Sequence, residues 1–269
     1  MESGSKGKIE IYVSNIQGSS NAGKMALLQA RTASADFIIL NETNEFKGDE
    51  SVFSQLKCMA TAITNTPDAD KRVGPGHGTF IGTKEWYPND GDFCSIDDRF
   101  EIGVFTRFVD GNRVSVIGMY RSPNMKLPEI EAFYGRLRHH LTVCRREKAD
   151  VIVLCGDDNS HSTPTSSNYN KKAYACLEDI RKRFGGVHVV TRPTHKAYQP
   201  DHVVVFCDPL RYKVTSINPV PGVGDHCEMR FWIDFEYLGA PKPKWQNRLC
   251  IESDGDEDTI RKDLVEIIS

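Results

Sequence analysis

The apolar runs of this 269-residue chain end repeatedly in polar residues. IEIYVS runs into Asn15, FIILN into Glu42, RVSVIGM into Tyr120 and Arg121, and VIVLCG into Asp157, Asp158 and Asn159. Asp201-His202 opens the VVVF run, and Asp225-His226 precedes EMRFWIDF. A single Asp or Asn at a strand end is more often a turn former than a ligand. Tyr120 alone reads as a half-buried strand aromatic, and Asp225-His226 alone as a loop pair. The whole ordered series is a stronger signal. Strand ends can converge on one rim of a sheet, where gathered acids would repel one another, and a divalent cation is the usual reason to tolerate that repulsion.

Strands must hold these residues. The pattern predicts them over 8–13, 36–41, 78–83, 100–106, 113–119, 151–156, 187–191, 201–206, 211–217 and 228–236, with Asp110-Gly111-Asn112 as a hairpin turn. FIIL and VIVLC are continuous apolar runs and suit strands covered on both faces. Residues 127–145 place Leu127, Ile130, Phe133, Leu137, Leu141 and Cys144 on one helical face, and 171–184 do the same with Ala173, Leu177, Ile180 and Phe184. Asn21 to Arg31 carries Met25 and Leu28, and 259–268 reads as a short helix with Asp258 as N-cap. Many strands with interspersed helices point to two stacked sheets with helices outside.

The ordered motifs resemble those of the endonuclease/exonuclease/phosphatase superfamily over residues 8–236. SNIQG at 14–18 is similar to its first motif, with Asn15 as the polar ligand. ILNET is similar to the segment with the metal-binding glutamate, here Glu42, and MYRSPN to the tyrosine motif, here Tyr120. CGDDNSHS is similar to the GDxN motif and gives Asp157 and Asn159; GDHCEM is similar to the terminal SDH motif and gives Asp225 and His226. Asp201 matches the acid behind that histidine. PTHKAYQPDHV, with NIQG and YRSPN, looks most like the apurinic-type endonuclease domain of non-LTR retrotransposons and makes Thr194 a phosphate contact. Four positions depart from the family pattern: Asn41 stands where Gln is usual, Gln17 where repair members often carry Asp, Gly224 for the Ser before Asp225, and Asp158 for a frequent aromatic.

The resemblance implies a four-layered α/β sandwich, two stacked mixed β-sheets flanked by helices. It implies an Mg²⁺-dependent (or Mn²⁺-dependent) DNA endonuclease that nicks target DNA to prime reverse transcription. The expected partners are DNA and a reverse transcriptase domain of the same polyprotein, with an intracellular site of action, nuclear for a eukaryotic element. Glu42, Asn15 and Asp225 would hold the metal, since a hard cation prefers one or two carboxylates plus waters and phosphate oxygens. Asp157 would align or deprotonate the attacking water, with Asn159 keeping phosphate and water in register. His226, oriented and made more basic by Asp201, would hydrogen-bond the phosphoryl charge. Tyr120 would stabilise the transition state or the leaving group, and Arg121, beside it, would contact phosphate. The rival readings are an abasic-site repair nuclease or an inositol or lipid phosphate phosphatase on the same fold, and a non-catalytic nucleic-acid-binding module.

Composition sets bounds. The 34 Lys+Arg and 37 Asp+Glu leave a net charge of −3, which argues against a wholly cationic nucleic-acid wrapper. Residues 252–269 hold seven of the acids and two of the bases, so 1–251 carries 30 acids against 32 bases, a balance of +2. The expected division is a flexible lead-in at 1–7, the catalytic domain at 8–240, and an extension at 241–269 with the acidic stretch ESDGDED and the short helix. No apolar run approaches the ~20 residues of a membrane span, and MESGSKGKIE lacks the apolar stretch of a signal peptide. The eight cysteines form no CxxC and read as buried free thiols of a reducing compartment. His139, His140 and Cys144 have helical metal-ligand spacing, but His140 and Cys144 lie near the buried face and read as structural. DNA target choice would reside in surface loops, at 73–82 and 160–170.

Overall fold

Two sheets stack so that the apolar runs meet face to face. A computed structural model of the protein describes residues 7–18, 21–43, 60–64, 78–83, 89–97, 100–161, 163, 166–216 and 219–235. In chain order the elements are β1 (Lys8–Asn15), α1 (Ala22–Thr32), β2 (Phe37–Asn41), β3 (Ala60–Thr64), β4 (Thr79–Thr83), β5 (Asn89–Asp97), β6 (Phe100–Val109), β7 (Asn112–Arg121), α2 (Leu127–Arg146), β8 (Val151–Asp157), α3 (Asn168–Arg183), β9 (Val187–His188), β10 (Asp201–Cys207), β11 (Tyr212–Ser216), β12 (Val220–Pro221) and β13 (Cys227–Phe235). One sheet runs β11-β13-β1-β2-β4-β3, with β12 on β13; the other runs β5-β6-β7-β8-β10-β9. The β1/β2 and β7/β8 pairs are parallel and their neighbours antiparallel, so both sheets are mixed.

The period-two alternation of each strand divides its side chains between two cores. Ile9, Ile11, Val13, Phe37 and Ile39 meet Val116, Val151, Val153, Cys155 and Val203 between the sheets. The opposite faces meet helices. Ile152 and Leu154 pack against Ile130, Phe133, Leu137, Leu177 and Ile180 of α2 and α3. Tyr12, Ile38 and Leu40 pack against Met25 and Leu28 of α1. The result is a four-layered α/β sandwich. Each such fully buried aliphatic side chain contributes about 1.5–3 kcal/mol of transfer free energy.

Local chemistry explains the boundaries. Asn21 caps α1 by accepting from the Lys24 N–H at 3.0 Å, and Ser167 caps α3 through the Asn170 N–H at 3.1 Å. Asp110 and Gly111 form the two-residue β6–β7 loop with φ of 49° and 77°, the hand that matches strand twist. On α2 the expected Leu127 is 41% exposed at the first helical residue, and Tyr134, two turns on, fills the buried face instead. His140 is buried there, and burial first, then the charges of His139 and Arg136, lowers its imidazole to about 4, as a structural histidine requires. Among the described residues Cys144, Cys155, Cys176, Cys207 and Cys227 are free thiols.

Three strands, β3, β5 and β12, escape the sequence pattern. NDGDFCSID in β5 is rich in turn formers, and it becomes a strand through antiparallel pairing with β6 from Asp92↔Phe105 to Asp97↔Phe100. All the elements belong to the unit Met1–Glu236. The lead-in up to residue 6, the extension 241–269 with its helix, and residues 73–77 of loop 73–82 lie outside the described residues, as do 162, 164 and 165 of loop 160–170. Among the described residues no helix is long and apolar enough to cross a membrane.

Candidate active site

The inward-facing series on four strands ends in a polar residue at one end of the sandwich. Val13 is followed two residues on by Asn15, Ile39 by Asn41, and Cys155 by Asp157, while Asp201 lies two before Val203. Each polar side chain therefore inherits the inward direction and is buried. Across the second sheet Glu101, Tyr120, Asp157 and Asp201 are register neighbours on β6, β7, β8 and β10. Asn15 faces Asn41 across the first. Hydrogen bonds lock the two rows together: Asn15 Nδ2 donates to Asp157 Oδ2 at 2.9 Å and the Asp157 N–H to Asn41 Oδ1 at 3.0 Å. Asn41 Nδ2 donates to the Met119 carbonyl and to Thr79 Oγ1, both at 3.0 Å.

The chain turns sharply as it leaves the strands. Gln17, Glu42 and Asn159 have φ of 48°, 52° and 51°, the left-handed region that costs non-glycine residues about 1 kcal/mol each. The Gly18 N–H holds the Glu42 carbonyl at 2.6 Å, and Lys24 Nζ donates to the carbonyls of Ile16, Gln17 and Gly18 at 2.6, 3.2 and 3.2 Å. Gly156 has φ of 134°, and a Cβ there would fall on the Met119 carbonyl oxygen. Gly156→Ala is expected to lower unfolding free energy by about 2–4 kcal/mol in urea titration, the sum of backbone strain and overpacking.

Electrostatics sharpen at the rim. Asp157 accepts from Asn15 and from the Asn159 N–H at 2.9 Å. Burial first, then the charge of Asp201, raises its carboxyl well above the usual range; Glu42 adds to this, while His226 and the Asn15 hydrogen bond oppose it. Asp201 Oδ2 accepts from His226 Nδ1 at 2.8 Å and from Thr194 Oγ1 at 2.6 Å. A carboxylate only accepts, so Nδ1 carries a proton and Nε2 is the working end of the ring. Burial pulls His226 down, but the hydrogen bond and charge of Asp201, joined by Asp157 and Asp225, outweigh it and push the imidazole up to about 9. Burial, with Glu42 and Asp157 behind it, keeps the Tyr120 phenol protonated as a donor, 3.4 Å from Glu42 Oε1.

The donor atoms suit a cation. Asp157, Asp201 and His226 offer ligand atoms within 4.8 Å of one another, and so do His195, Asp225 and His226. Asp201 Oδ1 is buried with no hydrogen-bond partner among the described residues, and the half-buried Glu42 carboxylate receives the long contact from the Tyr120 hydroxyl at 3.4 Å. Clustered, under-satisfied carboxylates of this kind fit a hard divalent ion.

No family model and no curated protein matches the sequence. Solved structures do match. Truncated TDP2 from Caenorhabditis elegans superposes with a TM-score of 0.60 at 12% identity, covering 85% of this chain and 98% of its own. The endonuclease domain of TRAS1, a telomere-specific non-LTR retrotransposon, gives 0.55 at 13%, covering 85% and 99%. An endonuclease/exonuclease/phosphatase family protein from Bacteroides thetaiotaomicron gives 0.61 at 10%, covering 85% and 98%. The fold is that of the endonuclease/exonuclease/phosphatase superfamily. Within this fold Asn15, Glu42, Tyr120, Asp157, Asn159, Asp201 and His226 gather at one end of the sandwich, linked by the contacts above. Asp225 is 47% exposed and faces His195 and His226.

The two predicted phosphate contacts lie in the interior. Arg121 is fully buried; its Nε donates to the Asp158 carbonyl at 2.6 Å and Nη1 to the Ser122 carbonyl at 3.2 Å. Thr194 is fully buried with its hydroxyl on Asp201. Their visible work is to position the GDxN loop and the Asp201–His226 pair. Two departures also find reasons. A Cβ on Gly224 would lie 2.9 Å from the Asn15 carbonyl oxygen, leaving little room for serine. Asp158 is a buried hub, accepting from Tyr134 Oη and Ser160 Oγ, each at 2.7 Å. Glu101 stands near a strand end like the others and accepts from Thr79 Oγ1 at 2.7 Å, but it belongs to none of the sequence motifs. Lys24 and His195 carry no sequence signal either, because their roles depend on contacts across the fold.

Proposed function

We propose that this chain is a divalent-metal-dependent DNA endonuclease that nicks target DNA for retrotransposon insertion. The observation that carries the reading is the convergence of Asn15, Glu42, Tyr120, Asp157 and the Asp201–His226 pair at one buried rim. Glu42, with Asp157, Asp201 and Asp225 nearby, would hold Mg²⁺, and Mn²⁺ in its place. When bound, the ion supplies charge stabilisation to phosphoryl and leaving oxygens. Asp157, held by Asn15 and the Asn159 N–H, orients a water and accepts its proton. His226 donates from Nε2 to a phosphoryl oxygen as charge develops there, and Tyr120 donates from its hydroxyl. Asn159 is fixed by its Nδ2 on the Arg121 carbonyl at 2.8 Å and keeps the loop in register with both. The likeness to the TRAS1 endonuclease domain supports the retrotransposon assignment; a reverse transcriptase partner and an intracellular, nuclear site of action are part of the same proposal.

Nicking of supercoiled plasmid is expected with Mg²⁺ and not with EDTA. Cleavage confined to abasic sites would move the reading to repair. Release of inorganic phosphate from inositol phosphates without nicking would move it to a phosphatase. Tight DNA binding without cleavage would make it a binding module.

A further inference from the structure

His195 takes no part in the chemistry above, yet the fold places it with care. The Thr194 and His195 N–H groups both donate to the Tyr198 carbonyl, at 2.9 and 3.1 Å, and the Tyr198 N–H returns to the His195 carbonyl at 2.9 Å. The Cys227 N–H on the Thr194 carbonyl, at 2.6 Å, ties this turn to the start of β13. The His195 ring lies flat on His226, centroids 4.6 Å apart and planes 9° apart. Its Nε2 is shielded from solvent and makes no hydrogen bond. Asp225 reaches both rings: Oδ2 is 3.3 Å from His195 Nε2 and Oδ1 is 3.7 Å from His226 Nε2. Behind His226, Asp201 holds Nδ1 and leaves Nε2 outward, the carboxylate–histidine arrangement that orients metal-bound imidazoles.

Two imidazole nitrogens and one carboxylate are the wrong set for Mg²⁺, which favours oxygen ligands and retained water. They are the set of a three-ligand zinc site with an open fourth position. We propose that His195, Asp225 and His226 bind a borderline first-row ion of the Zn²⁺ class. Tetrahedral bonds of about 2.0–2.1 Å put ligand atoms about 3.3–3.4 Å apart. The His195 Nε2–Asp225 Oδ2 separation of 3.3 Å already meets this; His226 Nε2 lies 3.7 Å from the other oxygen, Oδ1, and the half-exposed Asp225 carboxylate must rotate to offer both rings a single oxygen, starting from one ligand atom each within 4.8 Å. The His195 ring must turn out of the stack, about a broad sp³–sp² torsion and with no hydrogen bond at Nε2 to break. The ion takes His226 Nε2 away from the phosphate. Zn²⁺ therefore inhibits an enzyme that Mg²⁺ supports, a consequence that rests on the nuclease reading.

The test uses the whole chain, stripped of metal and held in excess Mg²⁺. Co²⁺ is added as a spectroscopic probe, then Zn²⁺ as competitor. The expected result is intense visible absorption of tetrahedral Co²⁺ at one ion per chain, bleached by one equivalent of Zn²⁺. His195→Ala and the bulkier His195→Gln should each weaken Zn²⁺ binding about 100-fold or more, beyond the usual loss from an outer partner, with circular dichroism unchanged. They should keep Mg²⁺-dependent nicking and lose Zn²⁺ inhibition by the same factor. Absent Co²⁺ bands, or equal Zn²⁺ affinity in wild type and both variants, would overturn the proposal. Tight binding lost in the variants, in a protein that never nicks DNA, would uphold the metal site and sink the nuclease reading instead.

Discussion

Asp157→Asn is expected to cut plasmid nicking at least about 10³-fold at pH 7–8 while leaving the protein folded. The size follows from two losses. A positioned general base contributes about 10²–10⁴ in rate, and the amide that replaces it can no longer accept on both atoms. Asp157 accepts from Asn15 Nδ2 and from the Asn159 N–H, so asparagine keeps one bond and opposes a donor at the other. The loop carrying Asn159 loosens with it. The fold survives because the charge removed is one that burial and Asp201 already disfavour. The check is single-turnover nicking beside thermal unfolding. A divalent cation should raise the wild-type midpoint, because it offsets repulsion among Asp157, Asp201 and Glu42, and should raise that of the variant less. Nicking within tenfold of wild type would remove Asp157 from the chemistry.

Much of this rim was legible because its cause is local. An inward series such as Val151, Val153, Cys155 has a fixed period, so the next inward residue, Asp157, is committed to the interior by its position alone. The same arithmetic finds Asn15, and it would have found Asn41, which read only as a departure from a pattern. What the sequence hides is register between strands distant in the chain. That Glu101, Tyr120, Asp157 and Asp201 form one row depends on pairings across four strands, which no local pattern fixes. Arg121 is the opposite case. An arginine beside a site tyrosine reads as a phosphate contact, but its strand carries it under the GDxN loop, where backbone carbonyls take Nε and Nη1. His195 was invisible for a third reason, since its partner His226 lies far along the chain and meets it through a turn docked on β13.

Asp201→Asn should produce a defect that depends on pH. In the native protein the Asp201 hydrogen bond and charge outweigh burial and lift His226 from 6.5 to about 9. Most molecules therefore carry the imidazolium at pH 8. With the carboxylate gone, burial pulls the ring down, and at pH 8 it is mostly neutral. Loss of a preorganised donor costs about 10²–10³ in rate, so nicking at pH 8 should fall about 100-fold and recover substantially at pH 6. Stability moves in the same window. A pKa raised by folding gives stabilisation that is complete below about 6.5 and lost as pH rises through about 9. Wild type should lose up to about 1.4 kcal/mol per pH unit across that interval, and the variant much less. Urea unfolding at pH 6, 7.5 and 9 reads the slope. Parallel rate and stability profiles for the two proteins would show that Asp201 serves only to pack the Thr194 turn, and that the His226 proton is set by something else.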